Sequence, residues 1–99
     1  MLTIILIGMI KPNCEREFER RISDLFRLIS AEPGCRGVTW GPTENSGEYA
    51  LIERYVDDAA LMAHRTSSHM KEYGPLLSAL FDGPPKIARF IEQGEHFDK

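Results

Sequence analysis

The chain has 99 residues, 42% of them hydrophobic and 27% charged, with a net charge of −3. That length suits a single domain, residues 1–99 with its core over 2–92, and a core of this size folds without staples. The small negative charge, with both signs interspersed, gives no electrostatic case for a nucleic-acid or anionic-membrane partner.

The opening run LTIILIGMI (2–10) is branched and apolar on both alternating faces. It lacks the basic n-region and small-residue cleavage site of a signal peptide, and is far too short to span a bilayer. It reads as a first strand and the protein as cytoplasmic. Pro12 and Asn13 then punctuate, with Asn13 the expected N-cap of a helix. Phe18, Ile22, Leu25, Phe26 and Ile29 follow at i, i+4, i+7, i+8 and i+11, one apolar stripe. Glu15, Glu19 and Arg20 fall on the side expected to be solvated.

Pro33 ends this helix and Gly34 is expected in a left-handed turn. CRGVTWG (35–41) reads as a strand, PTENSG as a hairpin loop and EYALIERYV (48–56) as the next strand. Asp57 or Asp58 caps AALMAHR, a second helix that TSS (66–68) interrupts. Ser67 or Ser68 then recaps a helical stretch through Tyr73, and Gly74–Pro75 bends the chain before LLSALF. After Pro84–Pro85, KIARFIEQ (86–93) is a last strand, and residues 94–99 form a polar tail. Cys14 and Cys35 lack zinc-finger or CxxC spacing and read as small core residues kept reduced in the cytosol.

The order β-α-β-β-α-β is the ferredoxin-like α+β arrangement, a four-stranded antiparallel sheet with helices on one face. Its other face should then be polar. Instead Ile5, Ile7 and Met9 on the first strand, and Ala50, Ile52 and Val56 on the third, make it apolar. A second copy of the chain, packed sheet against sheet, is the economical cover, so a homodimer is expected.

AEPGCRGVTW after an amphipathic helix, then YALIERYVDDAALMAHRTSSHMKEY, resembles the antibiotic biosynthesis monooxygenase (ABM) domain family. The resemblance covers about residues 2–92 and rests on Ala31 to Cys35, Glu53-Arg54-Tyr55, and Leu61 to His64 followed by Ser67 and His69. It implies a dimeric α+β barrel. It also implies oxygenation by O₂ of a small electron-rich aromatic such as a quinol, naphthol or anthrone, without flavin, haem or metal. Haem-degrading relatives carry an Asn on the first strand and a Trp on the second helical region. This chain has no Asn in LTIILIGMI, and His64 stands where that Trp would fall.

Such oxygenation needs a general base, a dry cavity and a donor for developing oxygen charge. His64 is the candidate base, since histidine titrates in the range required, and Glu53 is its expected partner across the strand–helix interface. The alternative is that the two form a structural pair locking helix to sheet. Trp40 and Tyr49 are candidates to stack on a planar substrate, or to pack within sheet and dimer. Tyr73, four residues from His69, is a possible neighbour of it. Arg54 suits an oxyanion donor or a cross-strand ion pair. Five residues at 100° place His69 about 140° around a continuous helix from His64. That angle, and the lack of a third ligand at a telling spacing, argue against a metal pair, but the TSS break frees His69 from helical phase, which makes it a candidate to face the cavity and bind substrate. No cation or helix N-terminus is evident to activate Cys35. A non-oxidative protein of the same fold that binds or isomerises a small metabolite is the alternative function, and a binding module without turnover a third.

Overall fold

The computed structural model describes residues 1–94. Its elements are β1 (Leu2–Met9), α1 (Glu15–Ser30), β2 (Cys35–Pro42), β3 (Glu48–Tyr55), α2 (Asp58–Arg65), α3 (Ser68–Ser78) and β4 (Lys86–Ile91). The strands pair antiparallel in the order β2-β3-β1-β4, as the ferredoxin-like connectivity requires. Most of the tail expected over 94–99 lies outside the described residues.

The apolar stripe of α1 is buried as its spacing predicts: Phe18, Ile22, Leu25, Phe26 and Ile29 all face the sheet. They meet Leu2, Leu51 and Tyr55 from the inner faces of β1 and β3. Alternation sends Thr3, Ile5, Ile7 and Met9 to the other side of β1, opposite Arg54, Ile52, Ala50 and Glu48 of β3. On that outer face Ile7, Met9 and Phe90 are exposed. A small polar island interrupts it. Arg54 donates two hydrogen bonds of 2.9 Å to the Glu92 carboxylate, which also accepts from Thr3 at 2.7 Å.

Three local expectations need correction. Asn13 does not cap α1. It adopts a left-handed conformation (φ 68°) in a tight turn closed by the Cys14 N–H on Lys11 O, and Cys14 itself holds the cap position without a side-chain bond. Asparagine tolerates that region, which is why Pro-Asn makes a turn here instead of a cap. Gly34 is not left-handed. Its role is steric, because a Cβ there would sit 2.3 Å from the Ala60 Cβ, so the turn that leads into β2 packs directly on α2. Finally, α3 runs without interruption through Pro75 to Ser78. The ring deprives only the carbonyl of Lys71, an exposed residue, of its helical donor.

Asp57 and Ser67 are the caps read from sequence. Asp57 accepts from Ala60 N at 2.9 Å and Ser67 from Met70 N at 3.3 Å. The close approach at Gly34 gives a prediction. Gly34→Ala should lower stability by about 1–3 kcal/mol through overpacking against α2, read as a drop in the urea midpoint at unchanged m-value.

Candidate active site

Alternation along β3 puts Glu53 and Tyr55 on the inner face, where a lone carboxylate among apolar neighbours needs partners. The Tyr55 hydroxyl supplies one, donating to Glu53 Oε1 at 2.7 Å. The His64 ring supplies the other, with Nε2 3.5 Å from the same oxygen. This ring packs on that of Tyr55, with centroids 5.1 Å apart and planes tilted by 40°. His64 is only 4% exposed. The expected approach of Glu53 to His64 is therefore present in the structure.

The opposite edge of His64 carries a group that sequence reasoning missed. Nδ1 lies 3.1 Å from Glu32 Oε2, and His69 Nε2 lies 2.5 Å from the same oxygen. Glu32 comes from the α1–β2 turn, where its N–H bonds to Ile29 O and its carbonyl accepts from Cys35 N. That turn is the AEPGC segment, read earlier only for its proline, glycine and cysteine. The second carboxylate oxygen, Oε1, is buried with no hydrogen-bond partner among the described residues.

The two histidines converge because the helix breaks between them. Thr66 bonds back to Met62 O at 3.0 Å, and the Ser67 hydroxyl donates to His64 O at 2.7 Å while capping α3. The 140° separation holds only for a continuous helix, so the geometric objection to a shared ligand falls away. Glu32, His64 and His69 offer three donor atoms within 4.8 Å of one another.

An apolar cavity of about 550 Å³ opens beside this cluster, between α1, α3 and the sheet. Phe18, Phe26, Leu51, Met70 and Phe81 form much of its wall, and among the described residues Glu53 is the one charged side chain on it. A smaller recess of about 180 Å³ shares Leu6, Leu51, Glu53 and Met70 with the cavity and reaches His64. Glu53 thus belongs to both spaces, whereas His64 belongs to the smaller and Glu32 and His69 to neither.

The other candidates lie elsewhere. Trp40 and Tyr49 are absent from both walls. Tyr49 is buried, its ring 4.8 Å from Phe18 and 6.2 Å from Trp40, and its hydroxyl donates to Glu19, which sequence alone had assigned to solvent. Arg54 projects from the outer face onto Glu92, opposite the side of Glu53. Tyr73 packs against the core. Burial pushes the Cys35 thiol up and the charges of Glu32 and Glu53 add to this, against the opposing bond its sulfur accepts from Gly37 N–H. It is no poised nucleophile.

An apolar cavity walled by a two-helix layer and an antiparallel sheet, with a carboxylate–imidazole cluster at one end, defines a small-molecule site on a ferredoxin-like α+β scaffold. The pattern of the family described as antibiotic biosynthesis monooxygenase matches residues 1–75, and the chain belongs to that family. Rv0793 of Mycobacterium tuberculosis, which carries a provisional monooxygenase name, is 27% identical over 86 residues, 87% of this chain and 85% of that one. Its structure superposes with a TM-score of 0.88 at 26% identity, over 95% of this chain and 96% of the other. A conserved protein from Methanosarcina mazei Go1 gives 0.88 at 26% identity, covering 93% and 92%. PA3566 from Pseudomonas aeruginosa gives 0.83 at 26%, covering 94% of each. Among the described residues, no helix is long and apolar enough to cross a membrane.

The buried hydroxyls give a prediction for alkaline solution. Burial first, and then the Glu19 bond and charge, push Tyr49 from 10.0 to about 12. Burial and Glu53 raise Tyr55 further. The unfolded chain therefore gives up these protons first. Their contribution to stability is whole below pH 10, falls between 10 and about 12 for Tyr49, and goes on falling above that for Tyr55. Urea midpoints should drop between about pH 8 and about pH 11, and Tyr49→Phe should lessen the drop.

Proposed function

We propose that this protein is a cofactor-independent monooxygenase that oxidises a small hydroxylated aromatic, such as a quinol or naphthol, inside the apolar cavity. The observation that carries the reading is the placement of Glu53, among the described residues the sole charged side chain on a cavity wall otherwise fit for a planar hydrocarbon. Family membership supports oxygenation as the class of reaction.

In this reading Glu53 takes the phenolic proton of the bound substrate, and His64 and Tyr55 hold its carboxylate toward the cavity. His64, assigned from sequence as the base itself, acts one step behind it, in the smaller recess. The resulting phenolate is electron-rich enough to reduce O₂. One oxygen atom enters the ring and the other leaves as water, so a phenol and O₂ give a quinone and H₂O with all electrons from the substrate. The apolar wall keeps bulk water from the reduced oxygen species.

The working unit in this reading is a homodimer joined through the outer sheet faces. Ile7, Met9 and Phe90 are exposed there beside Ile5 and Ile52, an apolar surface that calls for a partner. The free thiols Cys14 and Cys35 suit a reducing cytoplasm.

Oxygen uptake with a panel of reduced quinones and naphthols tests the chemistry. Glu53→Gln should cut turnover by about 10²–10⁴-fold. His64→Ala should also abolish it while leaving the melting temperature largely intact; large destabilisation with turnover retained would make the pair structural. No uptake with any member of the panel would favour a non-oxidative binding or isomerising role. Sedimentation at micromolar concentration should show twice the 11.3 kDa chain mass, and Ile52→Glu should shift it to monomer.

A further inference from the structure

We infer that Glu32, His64 and His69 form a binding site for a divalent first-row transition metal of the zinc type, set behind the cavity and outside its walls. This inference rests on the cluster alone and stands whether or not the oxidation is correct.

The donors are of the right kind. Two imidazoles and one carboxylate form a borderline set that suits Zn²⁺, Co²⁺ or Ni²⁺, whereas Mg²⁺ and Ca²⁺ take oxygen alone. The spacing is right as well. Ligand atoms on a tetrahedral zinc with bonds of about 2.0–2.1 Å stand about 3.3 Å apart. Here two of the separations are 2.5 and 3.1 Å, and all are within 4.8 Å. Both imidazoles press on one oxygen of Glu32 while its other oxygen, Oε1, is buried and unpartnered. A turn of the carboxylate about its own axis offers that oxygen to a cation seated among the three side chains.

The second, independent feature is the shell behind His64. A ligating histidine ordinarily donates its other ring N–H to a carboxylate, which fixes the tautomer and the ring plane. Glu53 stands 3.5 Å from His64 Nε2 and is itself anchored by the Tyr55 hydroxyl at 2.7 Å. That leaves Nδ1, on the Glu32 side, as the lone pair for a metal. The three ligands also come from three different segments: the α1–β2 turn, the end of α2 and the start of α3. A metal there would add a direct link between the two helices and the turn, beyond the hydrogen bonds and apolar packing that already join them. Side-chain exposure of 19% at His69 against 5% at His64 marks the side from which an ion enters.

Calorimetry with Zn²⁺ on the chelator-stripped full-length protein, without any substrate, tests this directly, and the visible absorption of Co²⁺ reports the coordination. One ion per chain should bind with micromolar or tighter affinity, and Co²⁺ should give the intense visible bands of a tetrahedral site. His69→Ala and Glu32→Gln should each weaken binding by at least about tenfold. His96→Ala, which removes the third histidine of the chain, should leave it unchanged. Absence of binding at 100-fold excess of Zn²⁺, or binding unaffected by both ligand variants, would overturn the site. A circular-dichroism melt of each variant separates loss of a ligand from loss of the fold.

Discussion

The Ser67 hydroxyl is the interaction on which the polar site depends. It donates to His64 O near the end of α2 and accepts the Met70 N–H in the first turn of α3, so one oxygen ends one helix and starts the next. Were the helix continuous, His69 would point about 140° away from His64, and Glu32 would face one imidazole at most. The reset in phase brings two rings from consecutive helices onto a single carboxylate oxygen. A local capping event worth about 1 kcal/mol thus determines the composition of a cluster built from three segments.

Nothing in the economy of folding calls for that cluster. Two carboxylates and two imidazoles drawn together largely out of solvent carry a desolvation cost, and apolar residues of similar volume often serve stability as well or better. The stripe of α1 and the inner faces of β1 and β3 already provide the core. The cluster also leaves a carboxylate oxygen without a partner, which a purely structural network would have no reason to retain. Its placement at the end of an apolar cavity, joined to it through Glu53, is where chemistry would make use of such groups.

Much of the scaffold was legible because its signals are periodic. Phe18 to Ile29 repeat at helical spacing, β1 and β3 alternate, and Asp57 and Ser67 sit where caps belong. The Glu53–His64 pair also follows from register, since a strand residue facing inward meets the helix that packs over it. What escaped are facts set by approach instead of period. Gly34 looks like a turn glycine until Ala60 is seen 2.3 Å from its missing Cβ. Trp40 and Tyr49 sit on the inner face, yet neither lines the cavity: Tyr49 packs on Phe18 and donates to Glu19, and Trp40 packs on Tyr49. Glu32 lies in a turn with no periodicity at all, and only its neighbours in space give it a role.

The two faces of the sheet pose opposite problems, and the polar groups on each reflect this. Inside, one carboxylate interrupts an apolar wall and is held by a tyrosine of its own strand and a histidine of the helix above it. Outside, Arg54 is one residue away on the same strand but projects oppositely, and it is held by Glu92 and Thr3. Alternation makes such separation automatic, because a shift of one residue exchanges the faces. A slip of β3 by one position would send Glu53 out to the exposed face and bury Arg54 in the cavity, where no carboxylate could pair with it without leaving His64. The adjacent opposite charges of Glu53-Arg54 therefore do more than serve their own faces: together they make a one-residue slip of β3 electrostatically costly, and so hold the Glu53 carboxylate at the cavity wall.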